Sequence, residues 1–301
     1  MNRRQFGRTA VALAVAWPVA RALGYAESAQ ENLGQDRAER WHAIEDSVGG
    51  RLGVAVLDTA TGELAGHRLD ERFPMCSTFK FLAAALVLAR VDAGQERLDR
   101  RIVFARDALL KWAPVTSRHV GGAGMTVAQL CEAAITVSDN TAANLLLASA
   151  GGPPGVTAFA RRIGDTETRL DRTEPTLNDA TPGDPRDTST PRAMAQTLRT
   201  VLLGRALSDA GRARILQWMC ANKTGAHRLR AGVPRDWRVA DKTGTGDFGS
   251  TNDIGMLWPP GRAPLAVVAY LTGCKAPEDA REAALASVAR SVAGGWALRA
   301  A

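Results

Sequence analysis

The sequence predicts an α/β protein of the α+β type: one antiparallel five-stranded sheet with helices packed on it, plus a separate all-α lobe. Three observations lead there. Near the start, 53–58 and 64–68 read as short strands around the turn Thr61-Gly62, which makes a hairpin. Near the end, 238–242, 253–258 and 265–271 are three more β-like runs. Between these two groups the apolar spacing is helical. The two chain ends therefore complete one sheet, the middle forms a second lobe, and a ligand cleft is expected between them.

In chain order, a polar opening over 28–37 leads into a helix over 38–47, and the hairpin follows. From Phe79 the period changes: Phe81, Leu82, Leu86 and Leu88 share a helix over 79–91, with further helices over 127–133, 142–150 and 191–203. The stretch 170–191 is polar and aperiodic and carries Pro175, Pro182, Gly183, Pro185 and Pro191. A loop that long inside a compact domain is usually functional. A helix over 278–297 closes the chain. The lobe boundaries that follow are 27–68 with 221–301 for the sheet lobe, and 69–220 for the helical lobe with its loop.

With 301 residues, 46% hydrophobic and 23% charged, the chain buries a large core, which excludes fibrous and disordered classes. No repeat or low-complexity run interrupts it. The formal charge is +7, but Arg3, Arg4, Arg8 and Arg21 lie in the first 26 residues, which hold no acid; subtracting these four leaves +3. No later stretch interleaves basic and aromatic residues, so no nucleic-acid partner is expected. The opening Asn2-Arg3-Arg4-Gln5-Phe6, an apolar run over 9–20 and small residues near Ala22 and Ala26 have the grammar of a signal peptide over 1–26. Its paired arginines resemble a twin-arginine signal. The run falls short of the roughly 20 residues a membrane span needs and is broken by Pro18, so a periplasmic or secreted monomer without stable membrane association is expected.

The four cysteines, Cys76, Cys131, Cys220 and Cys274, allow three pairings of all four, but their scatter through apolar segments favours free thiols. The four histidines are isolated, with no Cys-x-x-Cys or His-x-x-x-His spacing, so no metal and no cofactor is expected.

Three short motifs carry the chemistry. In Ser77-Thr78-Phe79-Lys80 the serine opens a helix and the lysine lies one turn on, on the same face, where a neutral amine can take a hydroxyl proton. Ser138-Asp139-Asn140 precedes an apolar helix, and Lys242-Thr243-Gly244-Thr245 ends a strand. Each alone also reads as a helix cap or a strand end. All three in this order at the rim of one cleft are not three unrelated caps.

With these motifs the chain resembles the class A serine β-lactamases, within the wider penicillin-recognising enzymes. The resemblance runs from about Asn32 to Ala297 and includes the loop from Arg172-Thr173-Glu174-Pro175-Thr176-Leu177-Asn178 to Asp187-Thr188. It implies that Ser77 attacks a lactam carbonyl, with the N–H groups of Ser77 and Thr245 as oxyanion hole. Lys80 and Glu174 are both candidates for the base of that step, a choice left open. Ser138 would protonate the departing nitrogen between Lys80 and Lys242. Lys242, Thr243, Gly244 and Thr245 would receive the substrate carboxylate, with Arg228 standing in for an arginine that many relatives carry where this chain has Thr251. Asn140 would bind the substrate's side-chain amide, and Trp112 would wall the cleft entrance. Glu174 and Asn178 would hold the water that hydrolyses the ester. A cis Glu174-Pro175 bond and an Arg172–Asp187 ion pair would fix their loop. Cys76 lacks the partner that carbapenem-hydrolysing relatives pair with it, because Gly246 stands there. The alternatives are a penicillin-binding DD-peptidase, which typically lacks the glutamate loop, and a lactam sensor that acylates and stops.

Overall fold

The computed structural model describes residues 38–297. The signal peptide expected over 1–26 lies outside the described residues. The first element, α1 over 38–48, leads into β1 (Arg51–Asp58) and β2 (Leu64–His67), which pair antiparallel across the predicted turn. β3 (Phe73–Pro74) and a 3-10 turn (Cys76–Thr78) introduce α2 (Phe79–Asp92). β4 (Arg101–Ile102) and β5 (Met125–Thr126) form a short ladder before α3 (Val127–Thr136), α4 (Asn140–Ser149) and α5 (Gly152–Arg162). β6 (Thr188–Ser189) pairs with β3 at the far end of the long loop, and α6 (Pro191–Leu202), α7 (Asp209–Cys220) and α8 (Leu229–Gly232) follow. The chain finishes with β7 (Arg238–Thr245), β8 (Thr251–Trp258), β9 (Leu265–Thr272) and α9 (Glu278–Ala297).

The five-stranded sheet has the order β2-β1-β9-β8-β7, antiparallel throughout, as the sequence predicts. Strand β9 is buried along its whole length, so it reads as a continuous apolar run where a half-buried strand would alternate. On one face Val54, Val56 and Val267 meet Trp41 of α1 and Leu285, Val288 and Val292 of α9. On the other, Ala55, Leu57, Val268 and Tyr270 join the large core built around α2.

Helix α2 explains how the helices between β2 and β7 position their chemistry. Every residue from Phe79 to Leu88 is buried, so the helix is apolar all round. Lys80 is the one charged residue in that stretch. Burying a Leu- or Phe-sized side chain contributes about 1.5–3 kcal/mol, so Phe79, Phe81, Leu82, Leu86 and Leu88 together offset the several kcal/mol that one buried, partnered ammonium costs.

Two sequence expectations shift slightly. The hairpin's second strand stops at His67 because Arg68 turns into the left-handed region at φ 49°. Helix α4 begins at Asn140, two residues early, because Asp139 caps it by accepting from the Ala142 N–H at 2.9 Å. All four cysteines are free thiols, as their distribution suggests.

A buried carboxylate anchors α1 to the hairpin. Glu45 accepts from the Leu52 N–H at 2.7 Å and from both Nε and Nη2 of one guanidinium edge of Arg68 at 2.7 Å. Burial opposes its ionisation, but hydrogen bonds from Arg68, the Leu52 N–H and His67 overcome this and hold its pKa at about 2, against 4.5 ordinarily. A depressed carboxylate pKa contributes stability above 4.5 that is lost as pH falls towards 2. Glu45→Gln is therefore expected to be about 3 kcal/mol less stable than wild type at neutral pH, with the gap closing under acid. Urea denaturation across that pH range checks it; a gap independent of pH would refute the assignment.

Candidate active site

The nucleophile's position begins with backbone geometry. Cys76 takes φ 47°, a left-handed conformation that costs a non-glycine residue on the order of 1 kcal/mol, and the 3-10 turn follows. Ser77 is consequently not a helix cap. Thr78 holds the N-cap position of α2, and the Ser77 hydroxyl stays free of the helix. It donates to Glu174 Oε1 at 3.2 Å and accepts from Lys80 Nζ at 2.9 Å.

Lys80 is fully buried among acceptors: Ser138 O at 2.9 Å, Asn140 Oδ1 at 2.6 Å and Glu174 Oε1 at 2.9 Å. Burial pushes its amine below the ordinary lysine range, and Glu174 pulls it back. Ser138, the second non-glycine residue here with positive φ at 57°, lies between two amines, 3.2 Å from Lys80 Nζ and 3.1 Å from Lys242 Nζ. Burial, and then the charge of Lys80, push Lys242 well below its usual range, with Asp241 and Asp253 opposing. Asp139 supports the motif from behind, accepting from the Val115 and Thr116 N–H groups at 3.0 and 2.9 Å. The chain there carries Trp112, which is 56% exposed at the cleft mouth and donates through Nε1 to Val137 O at 3.0 Å.

The long loop presents Glu174 inward. The Glu174-Pro175 bond is cis, as the sequence suggests, and the Glu174 side chain is fully buried. Asn178 donates through Nδ2 to Glu174 Oε2, while its own Oδ1 is buried with no partner. Asp187 closes the loop: it accepts from the Asp171 and Arg172 N–H groups at 2.8 and 2.9 Å and from Arg172 Nε at 2.6 Å. Asp187 O in turn accepts from the Met75 N–H at 2.9 Å, which ties the loop's exit to the segment carrying Ser77.

The opposite wall is β7, an edge strand of the sheet. A Cβ on Gly244 would lie 2.7 Å from Met75 O and 3.2 Å from Ser77 N, so only glycine lets the strand pass this close to the nucleophile. Beyond it, a Cβ on Gly246 would meet Cys76 Sγ at 2.6 Å and Asn178 O at 2.8 Å. Ser77, Ser138, Asn140, Asn178, Thr243, Gly244, Thr245, Trp112 and Arg228 all line one cavity of about 460 Å³.

The comparisons decide what this cavity belongs to. A model of the "Beta-lactamase enzyme family" matches residues 36–296. The chain is 51% identical to β-lactamase CTX-M-8 of Citrobacter amalonaticus, over 87% of this chain and 89% of that one. It is 44% identical to β-lactamase OXY-1 of Klebsiella oxytoca over 98% and 100%. Among solved structures, an ancestral (GNCA) class A β-lactamase superposes with a TM-score of 0.85 at 64% identity, covering 86% of this chain and 99% of that one. The chain belongs to the class A β-lactamases.

This β-lactamase also uses residues that its motifs do not contain. Asn144, one turn along α4 from Asn140, accepts from the Glu174 N–H at 3.0 Å and donates to Glu174 O at 2.9 Å, which clamps both sides of that residue's backbone. Thr224 shares a hydrogen bond with Thr243 through the two hydroxyls. Arg228 is only 4% exposed. Its guanidinium donates to Gly244 O and Asn252 O at 2.9 Å each and to Thr245 Oγ1 at 2.8 Å, and pairs with Glu282 at 3.0 Å. It therefore braces the end of β7 and reaches the cavity behind Thr245. Asn144 sits on the same helical face as a motif residue, a signal available in the sequence; Thr224 and Glu282 carry none.

Proposed function

This class A β-lactamase hydrolyses β-lactams, and we propose the following division of labour among its residues for penicillins and cephalosporins. The observation that carries it is the triangle of Ser77 Oγ, Lys80 Nζ and Glu174 Oε1, whose edges are 2.9, 2.9 and 3.2 Å. The Lys80–Glu174 pair accepts the Ser77 proton as a unit, because either partner is within reach of the hydroxyl and of the other. Ser77 Oγ then bonds to the lactam carbonyl carbon. The N–H groups of Ser77 and Thr245 receive the oxyanion, and Ser138 passes a proton to the departing nitrogen from between its two amines.

Lys242, Thr243 and Thr245 receive the substrate carboxylate. Arg228 acts there through Thr245, whose hydroxyl it orients. Asn140 takes the side-chain amide, and Trp112 packs over it at the entrance. In the second half-reaction, a water between Glu174 and the unpartnered Oδ1 of Asn178 loses its proton to Glu174 and attacks the ester, releasing Ser77. No helix among the described residues is long and apolar enough to cross a membrane. Residues 1–26, which lie before the family match, are proposed to be the export signal of a monomeric periplasmic or secreted enzyme.

Acid-quenching the wild-type enzyme milliseconds after mixing with benzylpenicillin, then digesting it, should show the adduct on the peptide containing Ser77, and Ser77→Ala should give neither adduct nor turnover. An adduct on any other residue overturns the assignment.

A further inference from the structure

Two histidines that lie 25 residues apart in the sequence meet on the far side of the sheet from the cleft. His42 projects from α1 and His67 from β2, and their ring centroids are 5.9 Å apart. Glu45, one turn along α1 from His42, lies between them: one donor atom from each of the three residues falls within a group no wider than 4.8 Å. We propose that His42, His67 and Glu45 form a binding site for a divalent transition metal of the zinc, nickel or copper(II) type, tying α1 to the edge strand β2.

The donor set suits such ions, since imidazole with carboxylate is the ligand chemistry of borderline divalent metals. The geometry is already part-formed. His67 Nε2 and Glu45 Oε2 are 3.2 Å apart. Two ligands bound at about 2.0–2.1 Å in a tetrahedral site are separated by about 3.3 Å, so this pair stands as one edge of a zinc polyhedron. A carboxylate offers about four acceptor positions. Arg68 Nε and the Leu52 N–H both donate to Oε2, the oxygen beside His67, and Arg68 Nη2 donates to Oε1, so the open acceptor position is on Oε1 and a metal on Oε2 shares that oxygen with its two donors. A metal on His67 Nε2 requires the tautomer that carries the ring's one proton on Nδ1.

Glu45 is held as a carboxylate by its partners and is only 5% exposed, while Arg68 fixes its plane from outside, the usual arrangement behind a metal ligand. The moving part is His42. Its side chain is 61% exposed, and Asp46, 3.5 Å from its Nε2, offers an outer partner or a fourth ligand. Isolated spacing in the sequence hides this site because a helix and a strand supply one imidazole each. It touches none of the residues around Ser77, so bound metal should raise resistance to unfolding and leave turnover alone.

The test is calorimetric titration of zinc chloride into the chelator-stripped, tag-free enzyme, with thermal melting and benzylpenicillin hydrolysis measured alongside. One equivalent should bind saturably and raise the melting temperature, with hydrolysis unchanged. His42→Asn and His67→Asn should each weaken binding about tenfold or more, whereas the His119→Asn/His227→Asn variant should bind as wild type. Absence of saturable binding up to about 1 mM zinc, or binding that survives His42→Asn unchanged, overturns the proposal. His42 is exposed, so its variant decides the matter even if His67→Asn disturbs the Glu45 network.

Discussion

Glu174→Ala mixed with benzylpenicillin is expected to accumulate one stable adduct on Ser77 while steady-state turnover falls by about 10³-fold or more. The asymmetry follows from the geometry. Lys80 Nζ lies 2.9 Å from Ser77 Oγ and keeps its other acceptors, Ser138 O and Asn140 Oδ1, when the glutamate is gone. Burial already pushes its amine towards the neutral form, so the mutant still has a base for acylation. Water has no such substitute. Asn178 can hold it through Oδ1 but cannot take its proton, and the ester persists. Intact-mass spectrometry over minutes reads the adduct directly. Clean turnover by the mutant, or a lasting adduct on wild type, would remove Glu174 from the hydrolytic step.

Lys80→Ala is expected to damage both chemistry and stability. Acylation loses the partner that positions and deprotonates Ser77, a fall of about 10²–10⁴-fold. The Glu174 carboxylate is left fully buried without its ion partner, and breaking one side of a buried pair costs about 3–5 kcal/mol. Asn140 Oδ1 and Ser138 O lose their donor as well. The Lys80→Ala/Glu174→Ala double variant should therefore be much less destabilised than the two single losses added together. Stopped-flow acylation and urea denaturation on all four proteins give both readings; strictly additive stabilities would mean that the pair is not coupled.

The sheet and most helices were legible because their apolar patterns are strong, and β7, β8 and β9 extend the predicted strands by at most three residues. Helix α5 was not. It opens Gly-Pro-Pro-Gly, which reads as a loop, yet proline is well placed in a first helical turn, where the missing N–H has no partner to lose. Helix α7 buries only part of one face and gives a weak period. The two-residue pairs β3–β6 and β4–β5 have no pattern at all, though the first of them brings the long loop beside Ser77. In the site, the motif residues were readable as types at fixed spacing. Of their supports, Asn144 is hinted at by its place one helical turn from Asn140, while Glu282 is not; the two act through residues 30 and 54 positions away, on backbone or on another buried side chain.

Strand β7 has a further consequence. It is eight residues long and forms an edge of the sheet, and an edge strand of that length can recruit a strand from another molecule. Residues from the helical middle of the chain lie against β7: Lys242 on β7 reaches Ser138, and Gly244 packs against the Met75–Ser77 backbone. The contacts proposed to read the drug's carboxylate thus also shield the protein from its neighbours. A variant that widens the cleft to admit larger lactams uncovers a template for intermolecular pairing, so its cost should appear as aggregation in the cell before it appears as lost catalysis.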